Sequence, residues 1–79
     1  DLIASDGKDY LFGECKWRNE KLDISVLKEL KAKADVFTMN RKNSYYVLFS
    51  KSGFTEAVIN EAKSDDSILL VDLTELMKF

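Results

Sequence analysis

The sequence predicts an α/β domain in which a mixed four-stranded sheet is flanked by helices, in the order β-β-α-β-α-β-α. Short apolar and aromatic runs alternate along the 79 residues with segments that have the period of amphipathic helices. The dipeptide Asp6-Gly7 stands between the first two runs, and Asp-Gly is a strong signal for a tight hairpin turn. A hairpin followed by strands that alternate with helices gives one antiparallel pair and a locally parallel remainder.

Four strands are predicted from runs of apolar, β-branched and aromatic residues. The first is the short apolar run Leu2–Ser5, and the second is Asp9–Trp17, which is rich in aromatic residues. The third is Ser44–Ser50, with two tyrosines, a valine, a leucine and a phenylalanine in succession. The fourth is Ile68–Val71, which is fully apolar.

Three helices are predicted, and all three share the same signal at their amino ends. The apolar periodicity indicates one helix over Ser25–Phe37, a second over Glu56–Lys63, and a third that begins after Asp72. Asp23, Thr55 and Asp72 occupy the N-cap positions. Each has an apolar residue before it and another in the following turn, the pattern of a hydrophobic staple.

The composition restricts the class of protein. The length permits a single domain over residues 1–79, and no apolar run approaches the roughly 20 residues of a membrane span, so we expect no membrane partner. Cys15 is the only cysteine, so no internal disulfide can form, which favours a cytoplasmic protein. The absence of histidine excludes a His-based triad and leaves no ligand set for zinc.

The net charge of −2 conceals a strongly uneven distribution. Residues 16–51 carry nine Lys and Arg against four Asp and Glu, whereas residues 1–15 and 52–79 are both acidic. The basic block has two interpretations. It is either the solvated face of a helix and its loops, or a surface that contacts phosphates.

The hairpin register predicts which residues lie beside Glu14. If Asp6-Gly7 is a two-residue turn, partners in the hairpin have numbers that sum to thirteen. Ser5 then lies opposite Lys8 and Asp1 lies opposite Phe12. This register makes Asp1 the diagonal neighbour of Glu14, with the two backbones about 7–8 Å apart.

Glu14 and Lys16 are two residues apart on the second strand, so they point to the same face. Two carboxylates at the separation predicted for Asp1 and Glu14 can hold a Mg²⁺ ion between them. Lys16 can orient a water or offset charge on a phosphate. The alternative is an exposed cluster of charges. Cys15 points to the other face, where we expect a thiol packed in the core.

Four segments of the sequence are similar to known motifs. The segments 1–4 (Asp-Leu-Ile-Ala) and 13–17 (Gly-Glu-Cys-Lys-Trp) resemble motifs II and III of the PD-(D/E)XK nuclease superfamily. The segments 48–55 and 69–73 resemble the uncharacterised C-terminal domain that follows the P-loop module of archaeal and bacterial DEXX-box ATPases. The resemblance covers nearly the whole chain. It implies a restriction-endonuclease-like fold without its first core elements, in a C-terminal fragment of a larger ATPase.

The resemblance also implies a site. Asp1 and Glu14 would be the metal-binding carboxylates, the backbone carbonyl of Cys15 a further ligand, and Lys16 the catalytic lysine, with Mg²⁺ or Mn²⁺ as cofactor. The domain would then bind nucleic acid and, if active, hydrolyse phosphodiesters. The alternative is a catalytically silent regulatory or protein-interaction module of the ATPase. The chain has no GxxxxGK[ST] motif, so it contains no ATPase site of its own.

Further candidates for contact with nucleic acid flank the second and third strands. They are Trp17, Arg18, Lys51 and Ser52. Trp17 could stack on a base, although an aromatic residue at a strand end is more often part of a core or its rim. The P-loop ATPase domain of the same protein is a further expected partner. A homo-oligomer is also open, because an incomplete sheet can pair with a strand of a second copy.

Overall fold

A computed structural model describes residues 2–39, 43–74 and 76 of the chain. Within this part of the chain the α/β prediction is confirmed, with one four-stranded sheet in the order β1-β2-β3-β4. β1 pairs with β2 in antiparallel orientation, and β2–β3 and β3–β4 are parallel pairs. The strands are β1 (Leu2–Ser5), β2 (Asp9–Lys16), β3 (Asn43–Ser50) and β4 (Ile68–Asp72), and the helices are α1 (Ile24–Thr38) and α2 (Glu56–Ser64).

The observed bounds of these six elements lie within one residue of the predicted ones. The helix predicted after Asp72 lies mainly on residues 75 and 77–79, which are outside the described part of the chain. Neither described helix combines the length and the apolar character that crossing a membrane requires.

The predicted N-caps differ in how they work. Asp23 caps α1 as expected, because its carboxylate accepts a hydrogen bond of 3.0 Å from the backbone N–H of Ser25. Thr55 occupies the N-cap position of α2 but makes no capping hydrogen bond, and its buried Oγ1 has no partner among the described residues. Its backbone N–H instead donates to the carbonyl of Leu22 at 3.0 Å. Backbone pairing between two loops therefore positions the start of α2.

The predicted hairpin register is wrong. Ser5 pairs with Tyr10, and not with Lys8, and Phe12 lies opposite Ile3, and not opposite Asp1. The reason is the turn, whose two central residues are Gly7 and Lys8. Gly7 has a φ of 94°, a positive value that glycine adopts readily at the first central position of a hairpin turn. Asp6 precedes the turn, and its carboxylate accepts from the N–H groups of Lys8 and Asp9, both at 2.9 Å.

Both helices pack on the same face of the sheet. The crossovers β2-α1-β3 and β3-α2-β4 advance in the same direction, and crossovers of one hand then place their helices on one side. Side chains from both layers form one buried cluster there. Its members are Phe12, Leu22, Leu27, Leu30, Ala34, Tyr46, Leu48, Phe54, Val58 and Ile68.

No described helix covers the opposite face of the sheet. Leu2, Leu11, Tyr45 and Leu69 lie on this face and are all exposed, Leu69 by 61%. Cys15 belongs to this face and is exposed as well, so the expectation of a packed thiol is wrong. We call the four apolar residues Leu2, Leu11, Tyr45 and Leu69 the bare face.

Candidate functional site

Glu14 and Lys16 form the centre of the candidate site at the carboxyl end of β2. Their side chains point to the helix-covered face, as the period of the strand predicts, and Lys16 Nζ lies 3.0 Å from Glu14 Oε1. The Glu14 side chain is only 15% exposed and that of Lys16 is 26% exposed. This burial argues against the alternative of an exposed charge cluster. Solvent also screens the attraction between these two charges much less than it screens a fully exposed pair.

The other predicted carboxylate is Asp1, which lies outside the described residues. Its closeness to Glu14 therefore stays a prediction. Among the residues that the structure describes, no group of three or more His, Cys, Asp or Glu side chains is arranged to hold a metal ion. Of the two predicted metal-binding carboxylates, the described part of the chain thus includes Glu14 alone.

The backbone carbonyl of Cys15 is the remaining predicted ligand. The N–H of Lys51 donates to the carbonyl of Lys16 at 3.1 Å, so the Lys16 carbonyl points towards β3. Successive carbonyls of a strand point to opposite sides, so the Cys15 carbonyl points towards the β1 side of β2. A Mg²⁺ ion bound by Glu14 and this carbonyl would have to keep several waters and take further oxygens from a substrate phosphate. The two groups do not form a cage made of protein ligands alone.

The loops that follow β2 and β3 are joined beside this pair. The hydroxyl of Ser52 donates to the carbonyl of Arg18, and the backbone N–H of Lys51 donates to the carbonyl of Lys16 at 3.1 Å. Lys51 Nζ also donates to Asn19 Oδ1 at 3.1 Å. Two segments more than thirty residues apart in sequence are thus held against each other, which fixes the side chains that they carry.

A second set of backbone hydrogen bonds extends this junction towards the helices. The N–H of Leu22 donates to the carbonyl of Gly53 at 2.9 Å, and the N–H of Thr55 donates to the carbonyl of Leu22 at 3.0 Å. Leu22 and Phe54 form a parallel bridge and are both buried in the core. The junction is therefore held by backbone hydrogen bonds and by two core residues, and not by surface side chains alone.

All four predicted nucleic-acid contacts lie at this junction. Trp17 is 59% exposed, and Lys51 Nζ stands over its ring at 5.8 Å from the centroid. Ser52 uses its hydroxyl proton within the protein, so its first role is to join the two loops. Asn19 was not among the predicted residues. We call Trp17, Arg18, Asn19, Lys51 and Ser52 the edge surface.

A small cavity lies next to the edge surface, at the amino end of α1. Its volume is about 220 Å³, and three cationic side chains line it together with two acidic ones. The cations are Lys16, Arg18 and Lys21, and the acids are Glu20 and Asp23. The three cations outnumber the two acids beside the Glu14–Lys16 pair, and we call this cavity the cationic cavity.

A larger cavity of about 440 Å³ lies at the other end of the sheet, near the hairpin. Ala4, Leu11 and Tyr45 give it an apolar lining, and the charged residues at its margin are Asp6 and Asp9. It is an open groove on the bare face, and none of the described residues that line it is a cation. The smaller cavity is therefore the better candidate for binding a phosphate.

One local motif recurs three times and holds carboxylates in their charged form. In Asp23-x-Ser25, Asp65-x-Ser67 and Asp72-x-Thr74 the carboxylate accepts hydrogen bonds from the hydroxyl and the N–H two residues later. The hydroxyl hydrogen bond is the main cause that lowers the pKa of each carboxyl below its ordinary 3.8, and the backbone N–H adds to it.

These three carboxyls predict that the domain loses stability in acid. A pKa that is lower in the folded state gives stabilisation that is complete above the unfolded value of 3.8 and is lost as the pH falls through the folded value. We expect the triple variant Asp23→Asn, Asp65→Asn, Asp72→Asn to lose less of its free energy of unfolding than the parent between neutral pH and about pH 3. Urea denaturation at both pH values measures this. Asp66→Asn, which removes a carboxylate outside the motif, is the control, and an unchanged acid dependence in the triple variant would contradict the prediction.

Comparison with known proteins adds no identification. No family model, no curated protein and no solved structure matches the chain. The resemblance to the DEXX-box ATPase domain stays a prediction from the sequence motifs. The carboxyl end of β2 and β3 is therefore the part of the molecule that indicates a function.

Proposed function

We propose that this chain is a nuclease-like domain that binds nucleic acid at the carboxyl end of β2 and β3. With Mg²⁺ bound, it would hydrolyse a phosphodiester. The observation that carries this proposal is the half-buried Glu14–Lys16 pair, 3.0 Å apart, directly beside a surface with an exposed tryptophan and several cations. We include in the proposal the restriction-endonuclease-like form of the fold, which the parallel strands and the position of the pair at a strand end support.

Glu14 and Lys16 would divide the chemistry between them. Glu14 and the Cys15 carbonyl would hold the metal, together with Asp1 as the resemblance implies. When bound, Mg²⁺ polarises a phosphate and lowers the pKa of a coordinated water. Lys16 would stabilise charge that develops on the phosphate, because its ammonium is held at this position by Glu14 and lines the cationic cavity.

The limited set of protein ligands has a consequence for metal affinity. Two carboxylates and one carbonyl fill only half of an octahedral Mg²⁺ shell, so waters and the oxygens of a substrate phosphate would complete it. We therefore expect metal and nucleic acid to bind cooperatively. On the sequence resemblance, we also propose the P-loop ATPase module of the same protein as a partner of this domain.

The test is a calorimetric Mn²⁺ titration with and without a single-stranded oligonucleotide and with and without a duplex. We expect the parent chain to bind Mn²⁺ more tightly with one of these ligands present, and Glu14→Gln to lose this gain. Glu29→Gln is the matched control, because Glu29 belongs to another Glu-x-Lys sequence but lies exposed on α1.

Equal titrations of the parent and Glu14→Gln would contradict the catalytic proposal. That result would favour the catalytically silent module, which has no reason to bind a divalent metal at Glu14. A loss of Mn²⁺ binding in both Glu14→Gln and Glu29→Gln would also contradict it, since the effect would then reflect net charge and not a site.

A further inference from the structure

We propose that the edge surface takes a single strand, with one unpaired base stacked on Trp17 and the neighbouring phosphates bound by Lys51 and Arg18. This inference rests on the proposed function, since it names the form of nucleic acid that the same site receives. It adds a base-binding position, which neither the Glu14–Lys16 pair nor the cationic cavity requires.

The first support is the state of the Trp17 side chain. It is 59% exposed, although it directly follows a strand whose other aromatic residues pack in or against the core. Lys51 stands over one face of the indole, with Nζ at 5.8 Å from the ring centroid. The ring thus keeps exposed surface that a base can contact, while Lys51 lies against one of its faces.

The second support is the way Lys51 is held. Its ammonium has three donors and, among the described residues, uses one of them on Asn19 Oδ1 at 3.1 Å, which leaves two for a phosphate. Its backbone is fixed by the hydrogen bond to Lys16, and the next residue is fixed by the bond from Ser52 to Arg18. A cation that is already in place loses little conformational freedom when it binds a phosphate.

The third support is the chemistry that separates a single strand from a duplex. An aromatic ring stacks on a base only where the face of that base is free, and in a duplex both faces are covered by neighbouring base pairs. A stacking residue beside cations is the arrangement that binds single strands with little dependence on sequence. A duplex would use the cations but would leave Trp17 in water.

Trp17 is the only tryptophan in the chain, so its fluorescence reports on this position alone. The probe is an oligothymidylate of about ten nucleotides, compared with an abasic strand of equal length and with a duplex. We expect the oligothymidylate to quench the fluorescence and to bind more tightly than the other two probes. By fluorescence anisotropy of a labelled strand, Trp17→Ala should weaken binding of the oligothymidylate by roughly 5- to 150-fold. It should leave binding of the abasic strand unchanged, and Trp17→Phe, which keeps a stacking ring, should lose much less affinity.

The phosphate contacts have a separate readout in salt dependence. Lys51→Gln should reduce the slope of log affinity against log salt concentration by about 0.7, the value for one phosphate contact on a single strand. Lys8→Gln removes the same charge from the hairpin turn at the opposite end of the sheet and should leave the slope unchanged.

The outcomes separate this inference from the proposed function. A duplex that binds as tightly as the single strand, without quenching, would overturn the inference and leave the proposed function standing. Equal affinity of the parent and Trp17→Ala for the oligothymidylate would do the same. Failure of all three probes to bind would overturn the proposed function and the inference together.

Discussion

Replacing Leu48 by alanine is expected to lower the free energy of unfolding by about 3–5 kcal/mol, the largest stability effect that we predict for this chain. Leu48 lies at the centre of β3 with no exposed surface, in the cluster that both helices share with the sheet. Truncation removes apolar contacts and leaves a cavity between layers that are anchored at both ends of the strand. A domain of this length has a total stability of only about 4–12 kcal/mol, so the loss is a large part of it.

The control for Leu48→Ala is Leu69→Ala. Leu69 is also a leucine in a parallel strand, but it lies on the bare face and is 61% exposed. We expect its truncation to change the free energy of unfolding by less than about 1 kcal/mol. Urea denaturation of the two variants gives both values. Similar losses in the two would show that the bare face is covered in solution, which would contradict the exposure of Leu69.

The elements could be predicted from the sequence because their signals are local. The alternation of residues in β2 and the apolar stripe of α1 depend only on the geometry of a single strand or helix. Asp23 was predicted as a cap for the same reason, since its partner Ser25 is two residues away. That Glu14 and Lys16 point to the same face also follows from the period of one strand.

The predictions that are wrong all concern the way in which one segment of the chain is placed against another. The hairpin was placed on Asp6-Gly7, but Gly7 with its positive φ takes the first central position and moves the turn by one residue. The prediction of a packed Cys15 is wrong because both crossovers advance in the same direction and leave one face of the sheet bare. The sequence does not show this direction. Thr55 carries the signal of a cap, but a backbone bond to Leu22 fixes that helix start.

The residues of the candidate site could be predicted from the sequence, but their arrangement could not. Trp17 and Lys51 were singled out separately, as an aromatic residue at a strand end and as a cation near a turn. Their contact depends on the junction of two loops that are far apart in sequence, and so does the role of Asn19. The sequence contains no signal for this junction, because backbone hydrogen bonds such as that between Leu22 and Gly53 do not require particular side chains.

The second prediction concerns Gly53, because it is the residue of this junction whose replacement by any other residue type should cost most. Its φ is 85°, and its carbonyl accepts the hydrogen bond of 2.9 Å from Leu22. A Cβ atom at this position would lie 3.2 Å from Asp72 Oδ2, in addition to the cost of a left-handed backbone. We expect Gly53→Ala to lower the free energy of unfolding by about 1–3 kcal/mol. It should also weaken binding of a single strand, because the loops that carry Trp17 and Lys51 would move apart.

Gly7→Ala separates the two causes. Gly7 has a similar φ of 94° in the hairpin turn, but a Cβ atom there would meet no atom within 4 Å. Its replacement therefore measures the cost of the left-handed backbone alone, and we expect oligonucleotide affinity to stay at the parent value. Urea denaturation and fluorescence titration of both variants give the comparison. An equal loss of stability in the two, with unchanged binding in Gly53→Ala, would show that the junction tolerates the added methyl group. The edge surface would then owe its geometry to the side-chain bonds of Asn19 and Ser52, and not to the backbone at Gly53.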